Sequence, residues 1–171
     1  TIALLLIMFT NSNLHSYEEG VAKNNDIEIY YRDYGPVDAE PILLVQGLGG
    51  QLINWPPHLI EFLIENNFRP IVFDNRDTGL SSRINSDAFS KDKIDNTIVR
   101  NYIRYYLRLP IKSEYIIDDM ATDAISVLDA LDIDTAHVIG ISMGGMIAQI
   151  LVDNYPERVK TFTLIASTAS T

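Results

Sequence analysis

Gly140-Ile141-Ser142-Met143-Gly144 is a G-x-S-x-G pattern set between an apolar run at 136–141 (AHVIGI) and a stretch of helical spacing at 143–154. In a strand–turn–helix setting this pattern presents its serine as a nucleophile. The reason is steric: a side chain on so tight a turn needs neighbours without side chains, so Gly140 and Gly144 let strand and helix approach. Gly145 and Ala148 continue that small face. The turn holds the Ser142 hydroxyl clear of the sheet, at the positive end of the following helix. The plain alternative is a glycine-rich turn with an incidental serine, and the strand–helix context argues against it.

Gln46-Gly47-Leu48-Gly49-Gly50 directly follows a second apolar run, 41–46 (PILLVQ). Acyl transfer creates an oxyanion, and each fixed N–H donor that meets it typically contributes about 3 kcal/mol. The expected donors are the N–H of Met143, the residue after the nucleophile, and the N–H of Leu48. Gly47, Leu48 and Trp55 are the residues expected to touch a substrate. A phosphate-cradling loop is the competing reading, but neither G-x-x-x-x-G-K-[ST] nor G-x-G-x-x-G is present.

The surrounding pattern supplies the elements these loops need. Ile27, Ile29 and Tyr31 alternate with Glu28, Tyr30 and Arg32, the period of a half-buried strand, and Val21 to Lys23 with the turn Asn24-Asn25-Asp26 completes a hairpin. Runs 41–46 and 70–74 (PIVFD) are apolar on both faces, as central parallel strands are. Helical spacing covers 57–66, with Leu59, Ile60, Leu63 and Ile64 on one face, and 115–131, with Ile117, Met120, Ala121, Ala124, Ile125, Leu128 and Leu131. Helix 143–154 must end at Tyr155-Pro156, because a residue before proline resists the helical conformation. A last strand spans 161–166 (TFTLIA). Strands alternating with helices predict one α/β domain over 21–171, built on a mostly parallel, doubly wound sheet.

Composition bounds the chemistry. The 171 residues hold 13 Lys and Arg against 23 Asp and Glu, a net charge of −10, which disfavours a phosphate backbone and hence a nucleic-acid partner. No cysteine is present, which excludes a thiol nucleophile, a disulfide framework and thiolate metal sites. His15, His58 and His137 are too far apart in sequence for a His-x3-His metal motif. Residues 1–20 read as an N-terminal extension or the remnant of a signal peptide. Ile2 to Phe9 is apolar but too short for a membrane span, which needs roughly 20 residues, and it lacks a basic region before it and an A-x-A site after it. Cytoplasmic and periplasmic or secreted locations both stay open, as does oligomeric state.

The motifs QGLGG, DNRDTGLSSR, AHVIGISMGGMIAQ and YPERVKTFTLIAST, each in its place, resemble the N-terminal half of an α/β-hydrolase over about residues 21–171. The block DNRDTGLSS followed by AHVIGISMGGMIAQ is particularly similar to bacterial esterases of the aclacinomycin methylesterase-like group. The resemblance implies an eight-stranded fold, a Ser–acid–His triad, a variable cap and no cofactor or metal. It implies a small-molecule ester as substrate and Ser142 as the nucleophile of a serine hydrolase. Gln46 departs from the family, which often has His before the loop glycine. That position orients the loop and is not the triad base.

In this family the acid and the His follow the serine. The 29 residues after Ser142 contain no His, and their acids are Asp153 and Glu157. The chain is therefore expected to stop after about the sixth strand, before the cap, the acid and the His, leaving TFTLIA as an apolar open edge. Perhydrolases, carbon–carbon hydrolases and acyltransferases share the same nucleophile, and the fold also serves as a non-catalytic receptor or scaffold. Haloalkane dehalogenases and epoxide hydrolases use Asp at this position, so Ser142 argues against both.

Other polar residues read as structural. His137 lies five positions before Ser142, an odd offset that turns it to the opposite face, and His58 at the start of a helix is expected to be exposed. Asp74, Arg76 and Asp77 sit in the loop that braces the nucleophile turn in the resembling family, with Gly79 and Ser81 shaping it. Asp118, Asp119 and Asp123 open a helix, where acids suit the dipole. Seven of the thirteen basic residues fall within 83–112, and Arg100, Arg104 and Arg108 recur every fourth position. That stripe reads as a solvated helix face, with a lid that receives anionic substrates as the alternative.

Overall fold

The computed structural model describes residues 16–84, 104, 107, 108 and 113–168. Six strands form one sheet in the order β1-β2-β4-β3-β5-β6. Strands β1 (Glu18–Asn24) and β2 (Ile27–Asp33) are the expected hairpin, antiparallel with Asn24 opposite Ile27. Asn25 takes φ 54° in its two-residue turn, a conformation asparagine tolerates. The first strand starts at Glu18, so it reaches into the stretch read as an extension. Strand β2 joins β4 (Phe68–Phe73) antiparallel, while β3 (Glu40–Val45) pairs parallel with β4 and with β5 (Ala136–Ile141), and β5 pairs parallel with β6 (Val159–Ile165).

Period-two alternation sends the two faces of the central strands to different cores. Leu43 and Val45 of β3, Ile71 and Phe73 of β4, and Val138 of β5 pack with helices α2 (Ile117–Ala130) and α3 (Met143–Asn154). Ile42, Leu44 and Val72 point the other way, to α1 (Pro57–Glu65) through Ile60 and Leu63. All of these side chains are buried, which is why the runs look apolar throughout. Helix α3 ends at Asn154 before Tyr155-Pro156, as the proline requires. Pro70, expected to open a strand, lies inside β4, where its carbonyl accepts from Tyr34 N–H at 3.0 Å.

Two buried ion pairs tie distant segments together. Arg69 reaches Asp33 at 2.6 Å, and Arg76 holds Asp123 with two bonds of 2.6 and 2.8 Å. Asp123 is therefore not a helix-opening acid at the surface but the 1% exposed partner of an arginine 47 positions away. Of the basic stripe, Arg100 lies outside the described residues, and Arg108 sits in a turn at φ 54°, which takes it off a regular helical row with Arg104. Strand β6 is outermost on its side, with Phe162, Leu164 and Ile165 exposed. No described helix is long and apolar enough to cross a membrane.

The winding of the sheet fixes where a site can form. From β3 the chain steps outward to β4 and then returns across to β5 on the other side. The strand order reverses between β3 and β5, and a crevice opens beyond their carboxyl ends. The loop after β3 is Gln46–Gly50, and the residue after β5 is Ser142.

Candidate functional site

Ser142 is the hinge of this crevice. It adopts φ 54° and ψ −120°, a conformation strained for any residue with a Cβ, and it stands as N-cap of α3. Three bonds hold it there. Ser142 N–H donates to Ile165 O at 2.9 Å, and Ser142 O accepts from Gly145 N–H and from the Ser167 hydroxyl, each at 2.9 Å. Its backbone is thus clamped by the first turn of α3 and the end of β6, while the residue remains exposed.

The close approaches expected of the glycines are present, with one difference. A Cβ on Gly140 would lie 2.2 Å from Gly144 O and 2.7 Å from Gly145 Cα, which is the strand-to-helix contact. A Cβ on Gly144 would instead strike the end of β3, 2.2 Å from Val45 O and 2.7 Å from Gln46 O. Helix α3 is therefore docked on the β3 loop as well as on β5. That docking brings Gly47 beside the serine: a Cβ there would be 3.1 Å from Ser142 Cβ and 3.6 Å from Ser142 Oγ. Among the described residues neither the Leu48 N–H nor the Met143 N–H donates to a backbone partner.

A cavity of about 440 Å³ opens next to this point, walled by Leu48, Gly49, Met143 and Met120, with Ile116, Ile117 and Tyr115 from the approach to α2. Arg76, Asp77 and Thr78 complete its wall. Arg76 offers no free charge to the cavity. Burial alone would lower its pKa, but the hydrogen bonds and charge of Asp123 carry it above its ordinary value, and the Tyr115 ring stacks 5.1 Å from its guanidinium. Tyr115 is pushed up to about 12, first by burial and then by its hydrogen bond to the Asp77 carboxylate, so it stays a neutral phenol across the physiological range. The wall is mainly apolar, and the side chains of Arg76, Asp77 and Tyr115 in it already have partners.

Of the residues expected to touch a substrate, Leu48 lines the cavity and Gly47 abuts Ser142. Trp55 does neither. The 3₁₀ turn Leu52–Asn54 and the Pro56-Pro57 entry to α1 fold it inward, and it is buried among Ile42, Leu44, Leu52, Ile60 and Leu63. Tyr115, Ile116 and Thr78 are cavity residues that the sequence did not single out, since no local pattern shows that the start of α2 overhangs the end of β5.

Asp74 is a brace: its carboxylate accepts from Leu52 N–H at 2.7 Å and Leu80 N–H at 2.9 Å, and its carbonyl accepts from the Ser81 hydroxyl at 2.6 Å. Asp77 accepts from Ile84 N–H at 2.8 Å. Gln46 is buried and packs its amide over Gly50, consistent with a loop-orienting residue.

His58 is exposed, and His15 lies outside the described residues. His137 sits at the opposite end of β5 from the nucleophile position, about 16 Å away by strand rise, a stronger separation than facing alone. Its Nδ1 meets Thr161 Oγ1 at 2.7 Å, its Nε2 lies 3.4 Å from Glu40 Oε1, and its ring meets Phe68 edge-on. Lys160 also donates to Glu40, and that bond, ahead of the charges of Lys160 and His137, holds the carboxyl below its usual range. His137→Ala is expected to destabilise the domain by about 1 kcal/mol and to leave activity per folded molecule within twofold. Urea titration and specific activity check both halves. A hundredfold loss of kcat in well-folded protein would place His137 in the chemistry.

Comparison with known proteins agrees with the fold. A family model described as alpha/beta hydrolase fold matches residues 40–171. Rhodomycin D methylesterase DauP of Streptomyces sp. (strain C5) is 35% identical over 130 residues, 76% of this chain and 35% of its own. Rhodomycin D methylesterase DnrP of Streptomyces peucetius is 31% identical over 143 residues, 83% of this chain and 40% of its own. Among solved structures, Est816, described as an N-acyl homoserine lactone degrading enzyme, superposes with a TM-score of 0.63 at 27% identity, covering 86% of this chain and 45% of its own. The chain thus spans less than half the length of these relatives.

Proposed function

Because the chain belongs to the α/β-hydrolase fold family, we propose that it supplies the nucleophile and the oxyanion hole of a serine hydrolase acting on carboxylic esters. The observation that carries the reading is the strained backbone of Ser142 at the head of α3, with the Gly47–Leu48 loop pressed against it. A non-glycine residue held at such a dihedral inside a crevice is strain retained at a working position.

Ser142 Oγ attacks the ester carbonyl carbon as its proton passes to a base. The resemblance assigns that base to a His, and no His lies near Ser142 among the described residues. The carbonyl oxygen becomes an oxyanion, which the N–H groups of Leu48 and Met143 receive at the positive end of α3. Collapse of the tetrahedral intermediate expels the alcohol and leaves an acyl-serine, which water then hydrolyses. The cavity beside Leu48 and Met143 takes an apolar group of the ester. Relatives named as methylesterases support this reading, since a methyl ester is a carbonyl carbon bearing an oxygen leaving group.

The full-length gene product is expected to turn over p-nitrophenyl acetate and butyrate and to lose that activity stoichiometrically to a fluorophosphonate. Ester binding without turnover, with no fluorophosphonate reaction, would instead establish the receptor or scaffold reading.

A further inference from the structure

The loop Gly47–Gly50 is a tight turn in which Gly50 N–H donates to Gly47 O at 3.1 Å and Gly49 takes φ 71°. This is a type II turn with glycine at the position that needs a positive φ. Leu48 is its first central residue, so the hydrogen bond that closes the turn leaves the Leu48 N–H uncommitted. Two carbonyls fix the aim of that N–H. Gly47 O is held by the turn itself. Gln46 O, one peptide earlier, accepts from Asn75 Nδ2 at 3.1 Å. On its other side the same carbonyl lies 2.7 Å from where a Cβ on Gly144 would stand, so it is wedged between Asn75 and the first turn of α3.

Asn75 is 2% exposed, and its Oδ1 has no hydrogen-bond partner among the described residues. An interior amide oxygen without a partner is unfavourable, and a leucine of similar size would avoid it. Among the described residues the side chain's one bond is the one to Gln46 O. Inverting the amide would set Oδ1 against that carbonyl oxygen, so chemistry identifies Nδ2 as the donor. An amide kept in the interior for a single bond to this loop fits positioning better than packing. Its neighbour Asp74 differs, because its carboxylate and carbonyl brace Leu52, Leu80 and Ser81.

We infer that Asn75 is a positioning residue for the oxyanion hole: by pinning the Gln46 carbonyl against α3, it aims the Leu48 N–H at the oxygen of a carbonyl attacked by Ser142. The inference rests on the hydrolase reading above. An oxyanion donor stabilises the transition state more than the bound ester, so misaiming it lowers kcat and weakens tetrahedral mimics, with little effect on KM.

The test compares Asn75→Leu and Asn75→Ala with wild type in the full-length gene product, using p-nitrophenyl acetate as substrate and phenylboronic acid as the tetrahedral mimic. The expected result is a kcat lower by about tenfold to a hundredfold, the scale of a misplacement near 1 Å. KM should stay within twofold, and the boronic acid inhibition constant should rise by the same factor as kcat falls. A folded variant with kcat within threefold of wild type overturns the inference. So does a loss of kcat with unchanged boronate inhibition, and so does failure of both variants to fold, which would make Asn75 a packing residue. Wild type without turnover, or Ser142→Ala with wild-type turnover, would be a failure of the hydrolase reading instead.

Discussion

Ser142→Ala in the full-length gene product is expected to lower kcat for p-nitrophenyl esters by about 10⁵-fold or more while leaving KM within a few-fold. The size follows from losing the nucleophile of a unit that acts together, with only binding and the oxyanion hole left. A companion substitution separates chemistry from architecture. Ser142 holds φ 54° and ψ −120°, which a glycine adopts without strain. Strain of this type amounts to about 1–3 kcal/mol, and glycine gives back part of the gain through its freer unfolded chain. Ser142→Gly is therefore expected to be as inactive as Ser142→Ala and about 1 kcal/mol more stable by urea titration. Inactivity with raised stability is the pattern of a site held against its backbone preference. Equal or lower stability of the glycine variant would mean that the surrounding bonds to Ile165, Gly145 and Ser167 do not impose strain.

Gly144→Ala carries the second large effect. Judged by helix propensity alone, alanine should stabilise this helical position by about 1 kcal/mol. The structure predicts the opposite, since the added carbon would stand 2.2 Å from Val45 O and 2.7 Å from both Val45 C and Gln46 O. These are backbone atoms at the end of a central strand and cannot rotate away. Destabilisation of about 3 kcal/mol, the upper range for overpacking, is expected, and kcat should fall as α3 is pushed off the Leu48 loop. Gly145→Ala is the control, because its contacts at 2.5 Å are with Cβ and Oγ of Ser167, in the irregular segment after the outermost strand β6, which can shift where the end of central β3 cannot. It should be milder in both readouts. A Gly144→Ala protein as stable as wild type would remove the argument that α3 is docked on the β3 loop.

Much of this was legible in the sequence because the signals are local. Alternation in 27–31, two-sided apolar runs at 41–46 and 70–74, and the Tyr155-Pro156 stop each report on neighbours within a few residues, and each element formed close to its expected bounds. The turn at Ser142 was legible because the spacing of Gly140 and Gly144 is itself a packing requirement. What the sequence hid depends on segments that meet only after folding. Asp123 looked like one of three acids opening α2, and its pairing with Arg76 bridges 47 positions. Its place beside Met120 and Ala124, on the apolar face of the helix, was the available signal. Trp55 followed the glycine loop closely enough to suggest a substrate contact, yet the turn after Leu52 folds it under β3. Asn75 and Tyr115 carried no periodic signal, and their significance comes from the carbonyl and the carboxylate they meet across the crevice.

The most direct test of the central claim is covalent trapping. Full-length protein mixed with p-nitrophenyl acetate and quenched during the first turnover should show a burst of p-nitrophenolate and a single acetyl group, which peptide mass mapping places on Ser142. The fluorophosphonate adduct should map to the same residue. Rapid ester turnover with no acyl adduct, or with the acyl group or the phosphonate on any residue other than Ser142, would contradict the account.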